Sequence, residues 1–257
     1  MSVRSIAAAL FCLIVMTASS HLKAAAQGEP VRILASNGIK APFEALSKQT
    51  EGAIGHPLAV QYGTTTVHKQ KIESGAAFDV AILTSEAIDA LIKEGKISAR
   101  SRADIGSSGI GVGVKSGAKK PDIKTPDAMK QTLLNAKSVT YAEDGASKPH
   151  IEKMFNELGI TDKMKPKLVL VQGADASIAA VETGKAEMII TLSSEIMPVK
   201  DLDLVGPLPD KFQNYVHFAA GVSAAAKNAD TANSLIKFVT GPKAAPTFEA
   251  KGVKPGK

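Results

Sequence analysis

The feature that most constrains this chain is an alternation of two periodicities. Short, nearly continuous apolar runs occur at 31–35, 58–61, 80–83, 110–114, 138–141, 168–171 and 188–191. Among and after them lie longer segments with helical spacing, near 41–49, 67–74, 86–94, 126–135, 149–158, 178–183 and 230–239. An apolar run without polar alternation needs cover on both faces, and parallel neighbours need a crossover between them. The pattern therefore predicts an α/β architecture of mostly parallel sheets flanked by helices.

Two irregular stretches interrupt this rhythm. "IGSSGIGVGVKSGAKKPDIKTPDAMK" is a glycine-punctuated strand and a polar loop, after which Thr125-Pro126-Asp127 opens a helix. "LVGPLPDKFQNYVHFAAGVSAAAK" is a proline-rich connection followed by a further strand at 216–222. Two such crossings bracket a central segment and predict two lobes. Residues 27–112 and 209–257 form lobe I, residues 113–208 form lobe II, and the ligand cleft lies between them.

The first 26 residues are read separately. Arg4 precedes an apolar run over 6–16, and small residues close on Ala24-Ala25-Ala26, the pattern of a secretory signal peptide. The run is shorter than the ~20 residues of a membrane span. The sole cysteine, Cys12, lies inside this leader. The mature chain is thus expected to lack disulfides, thiol nucleophiles and thiolate metal sites, and to be a periplasmic monomer without membrane insertion.

Lys and Arg number 31 against 25 Asp and Glu, and the charges are interspersed. With 4% aromatic residues and no tryptophan, neither a basic stripe nor a stacking platform for nucleic acid is supplied. His56, His68, His150 and His217 lack metal-ligand spacing, and no HExxH, GxSxG, phosphate-loop or dinucleotide fingerprint occurs. No metal or other cofactor is expected.

Chemistry concentrates instead at four strand-to-helix junctions. They carry Ser36 and Asn37, then Gly63, Thr64, Thr65 and Thr66, then Gly145, Ala146, Ser147 and Lys148, and finally Ser193 and Ser194. A helix start presents unbonded N–H groups and the positive end of the helix dipole, and adjacent hydroxyls add neutral donors for an anion. Serine and threonine are also ordinary N-caps, so one such loop alone carries little weight. Four aimed at one crevice predict a small anionic ligand. Lys148 and His150 beside the third loop and Glu195 beside the fourth are the candidate acid–base groups.

The run "GTTTVHKQKIESGAAFDVAILTSEAIDALIKEGKI", with "ETGKAEMII", "LVGPLP" and "FVTGPKAAPTFEAKGVKPG", resembles the periplasmic molybdate-binding proteins of ABC importers. Gly63-Thr64-Thr65, Gln70, Gly75-Ala76 and Asp79-Val80 occupy the positions of that family's hydroxyl loop, following helix and next strand. The resemblance spans nearly the whole mature chain. It implies two α/β lobes closing on an oxyanion held by uncharged donors, with an ABC permease as partner. The chain departs from the family where a Val-Tyr pair usually follows the late strand, because Leu192-Ser193-Ser194-Glu195 stands there instead. Together with Lys148, that departure favours an organic carboxylate over molybdate. A relative of the fold isomerises aconitate, so a periplasmic tricarboxylate isomerase is the alternative to a solute-binding protein. An exported protein with interactions alone, the third reading, accounts for the convergent loops and the leader less economically.

Overall fold

The computed structural model describes residues 28–256; the expected leader, Cys12 included, lies outside the described residues. In lobe I, β1 (Val31–Ser36) lies between β2 (Leu58–Gly63) and β3 (Val80–Thr84), all parallel. In lobe II, β5 (Val139–Ala142) lies between β6 (Leu168–Val171) and β7 (Met188–Leu192), again all parallel. Antiparallel strands join these two triplets. The long β4 (Ala103–Lys115) pairs β9 (Tyr215–Val222) through its first half, and β9 pairs β3. Beyond that half β4 changes partners, pairing β7 from Ile110 and β8 (Leu202–Pro207) from Gly111.

One strand therefore belongs to both sheets. At its point of exchange Gln213 brackets the main chain of Ile110, accepting from its N–H and donating to its carbonyl, both at 3.1 Å. The same N–H also donates to the Asn214 carbonyl and the same carbonyl accepts from the Leu208 amide, so Gln213 reinforces main-chain pairing on both sides of the exchange.

Helices cover both faces, as the continuous apolar strands require. Every residue of β3 and of β7 is buried. Along β3, Val80 and Ile82 pack into the core that includes Phe43 and Leu46 of α1 (Lys40–Ile54). The alternate residues Ala81 and Leu83 meet Ile88 and Leu91 of α3 (Ser85–Lys93) on the opposite face. In lobe II, Ile190 faces the larger core while Ile189 meets Val181 of α7 (Ala174–Glu182). The period-two reversal of side chains along a strand explains this division.

The other α-helices of the described residues are α2 (Thr65–Glu73), α4 (Pro126–Asn135), α5 (Lys148–Glu157), α6 (Thr161–Met164), α8 (Ser193–Ile196), α9 (Ala229–Val239) and α10 (Ala245–Ala250). Thr125 caps α4 by accepting from the Ala128 amide, with Pro126 at the first position. The continuous apolar run, 110–114, covers only the second half of β4. Its first half, rich in glycine and serine, is held by tertiary pairing with β9 and with β10 (Lys254–Pro255). β8 also lies outside the expected strands, because its Gly206-Pro207 end reads as a turn.

Candidate functional site

Four junctions meet between the lobes. β1 delivers Ser36 and Asn37, β2 delivers Thr64 and Thr65, β5 delivers Gly145, Ala146 and Ser147, and β7 delivers Thr191, Leu192 and Glu195. With Ala142 and Ala174 they enclose a cavity of about 20 Å3. Such a space holds about one water, so the lobes are nearly in contact here.

Hydrogen bonding separates spent hydroxyls from available ones. Thr64 caps α2 by accepting from the Val67 amide at 3.3 Å, and donates its proton to Asp144 Oδ2 at 2.7 Å. Thr66 donates to the Asp144 carbonyl at 3.2 Å. Asp144, whose Oδ1 also accepts from the Gly173 amide at 2.8 Å, thereby ties the lobe II loop to the lobe I loop. Ser36 and Thr65 accept from the Gly38 and Thr84 amides, which leaves both O–H groups free to donate. Ser147 is buried and precedes α5 without capping it, so its hydroxyl is unspent as well. The Asn37 side-chain oxygen is buried and has no protein partner. Unpaired polar groups of this kind are costly unless a ligand or water satisfies them.

The cavity wall contains no Lys, Arg or His, and its one ionisable group is Glu195. Glu195 keeps some accessible surface at the cavity, yet protein surrounds its carboxyl and burial pushes its pKa up to about 7. A hydrogen bond from the Thr191 hydroxyl and one from the Leu192 main chain oppose that shift, and Asp175 adds to it. Near neutral pH this carboxyl can either donate to an anion or accept a proton.

A second space of about 210 Å3 opens beside the first and shares Asn37, Ala174 and Glu195 with it. Its walls come from α1 in lobe I and from α7 and α8 in lobe II, and include Lys40, Glu44, Asp175, Ile178 and Val199. Lys40 Nζ lies 3.5 Å from Asp175 Oδ1 across the cleft and 5.8 Å from the centre of the Tyr62 ring.

A model of the bacterial extracellular solute-binding proteins matches residues 31–254. The chain belongs to that family. Its relatives include an aconitate isomerase from a Pseudomonas species, 28% identical over 246 residues and covering 93% of each chain. The molybdate-binding protein ModA of Escherichia coli (strain K12) is 21% identical over 226 residues, 86% of this chain and 88% of that one. Among solved structures, the periplasmic molybdate-binding protein of Azotobacter vinelandii superposes with a TM-score of 0.76 at 16% identity. It covers 88% of this chain and 100% of that one. The two-lobed α/β fold is thereby that of periplasmic binding proteins, as the sequence resemblance implied.

Within this solute-binding protein the sequence-derived candidates divide into two groups. Ser36, Asn37, Thr64, Thr65, Gly145, Ala146, Ser147 and Glu195 line the central cavity, and Ser194 lines the larger space. Gly63, Thr66, Lys148, His150 and Ser193 line neither. Gly63 is backed by His68, whose Nε2 lies 2.9 Å from where a Cβ on Gly63 would stand. Ser193 turns towards β4, its Oγ 2.8 Å from the Cβ position of Gly111. Ser194 is engaged in structure, donating to the Gly38 carbonyl at 2.7 Å and bonding Ser108 Oγ through its amide. Lys148 extends along its own helix towards Glu152, 3.9 Å away. His150 pairs with Asn214 at 2.8 Å and lines a separate cavity with Phe212.

Sequence reasoning passed over Thr191, because a threonine inside a buried strand reads as β-branched core. It also passed over Lys40, which reads as one more helix-start lysine. Asp144, which accepts from Thr64, gives no signal in sequence either, since an aspartate ahead of a helix start is an ordinary loop residue.

Proposed function

We propose that this protein captures a small organic carboxylate in the interlobe cleft and delivers it to an ABC-type permease from the periplasm. The observation that carries the reading is the cavity wall itself. Unspent hydroxyls of Ser36, Thr65 and Ser147 come from both lobes, so an anion accepting from all three stabilises the closed arrangement. Uncharged donors suffice because two of the junctions also begin helices of eight or more residues, α2 and α5. Near neutral pH the protonated carboxyl of Glu195 can add a further donor to the same anion. The aconitate isomerase among the relatives supports the same ligand class.

Glu195 also favours a second reading, an isomerase that shifts an allylic double bond in a tricarboxylate. An ionised Glu195 takes a proton from one carbon, the π electrons move along the allyl unit, and the same carboxyl returns the proton to the far carbon. Atoms and electrons balance without a co-reactant. A carboxyl with pKa about 7 fits both half-steps, and the Thr191 hydroxyl orients it.

Calorimetry with citrate, cis-aconitate, trans-aconitate, sulfate and molybdate tests the first reading. Saturable binding of a carboxylate is expected, whereas tight molybdate binding with no carboxylate response would sink it. Incubation with aconitate in deuterated water tests the second. Isomer interconversion and deuterium uptake that vanish in Glu195→Gln support it, and neither appearing in the wild type refutes it.

A further inference from the structure

The hydroxyl cage and the space beside it are unequal. The cage offers about 20 Å3 and the adjoining space about 210 Å3, and Asn37, Ala174 and Glu195 line both. A ligand whose anionic head reaches the cage finds room for the rest of its body in the larger space alongside it. That space has apolar wall from Ala41, Ile178, Pro198 and Val199, and a single basic residue, Lys40.

Resting on the carboxylate reading above, we propose that Lys40 forms a second anion subsite in this larger space. The ligand is then a di- or tricarboxylate that bridges the hydroxyl cage and Lys40. Lys40 opens α1 of lobe I, while its present partner, Asp175, stands in the first turn of α7 in lobe II. Their separation of 3.5 Å is long for a charge-assisted hydrogen bond, and the Asp175 side chain is 72% exposed. Pairs of this kind contribute little and exchange readily. A ligand carboxylate can take the place of Asp175 at Lys40 Nζ while keeping the interlobe link, now through the ligand. Glu44 lines the same space but is exposed to solvent, which screens its charge. The Tyr62 ring beneath the ammonium holds Lys40 over the cleft mouth rather than leaving it to sweep free solvent.

The subsite makes opposite predictions for its two partners. Binding of cis-aconitate and citrate is measured by calorimetry with the wild type, Lys40→Gln and Asp175→Asn. Lys40→Gln is expected to weaken binding about tenfold, the scale of one hydrogen bond to a charged group. Asp175→Asn removes the competitor and is expected to tighten binding by a few-fold. Unchanged melting temperatures without ligand separate these effects from folding. Unchanged affinity in Lys40→Gln, or weakening in both variants, overturns the subsite while leaving the carboxylate reading intact. Failure of every carboxylate to bind the wild type overturns that parent reading and the subsite with it.

Discussion

Replacing Glu195 by glutamine changes how the stability of this protein depends on pH. In the folded chain burial lifts the Glu195 carboxyl from an ordinary 4.5 to about 7. The folded state therefore holds this proton more tightly than the unfolded state does. The associated stability is fully present below about 4.5 and is lost as pH rises through about 7. At 1.36 kcal/mol per pKa step, the full difference is about 3 kcal/mol. The groups around the carboxyl are the Thr191 hydroxyl and the Leu192 main chain, with Asp175 of α7 and Lys40 and Glu44 of α1 across the adjoining space. Glutamine keeps the shape and cannot ionise, so its stability lacks this component. Urea denaturation of both proteins at pH 5 and pH 8.5 gives the comparison directly. On going to the higher pH the variant is expected to gain about 2.5 kcal/mol relative to the wild type, the rest of the difference having already been lost by pH 5. Two stability profiles that stay parallel across this range would show that Glu195 is an ordinary solvated carboxylate, and the argument for its acid–base role would fall.

Other perturbations follow from the same geometry. Thr65→Ala and Ser36→Ala are each expected to leave folding intact and to weaken anion binding by about 1.5–3 kcal/mol, read by calorimetry; unchanged affinity in both would refute the donor assignment. Asp144→Ala strips partners from the Thr64 hydroxyl and the Gly173 amide and is expected to cost about 1–3 kcal/mol in urea denaturation. Small-angle scattering of the same variant should show a larger radius, and an unchanged radius argues against a tie between the lobes. Phe155, 2% exposed with its ring 6.3 Å from that of Tyr141, should cost about 3–5 kcal/mol on truncation to alanine, measured by the same denaturation.

The frame was legible in the sequence because a continuous apolar run such as that of β3 has few alternatives to a strand covered on both faces. The convergence of the four junctions was legible for a related reason: hydroxyls at a strand's carboxyl end and a helix's start are placed by backbone geometry. Which hydroxyls remain free was not legible. Thr64, Thr65 and Thr66 are chemically alike, and only the position of Asp144, brought in from the other lobe, sets Thr65 apart. The lysines show the same limit. Lys148 sits beside a donor loop in sequence, yet its side chain runs to Glu152 one turn along its own helix. Lys40 looks unremarked in sequence but overhangs the cleft, because α1 and α7 approach only when the lobes are assembled.

The strand β4 is common property of the two sheets, its first half paired with β9 and its second with β7 and β8. Cutting the chain to isolate one lobe would leave half of that strand with bare amides and carbonyls, an adhesive edge that invites aggregation. Neither lobe is thus a module that recombination can lift out whole and transplant. A new ligand is reached most directly by rewriting the short junctions that face the cleft, on a scaffold kept in one piece.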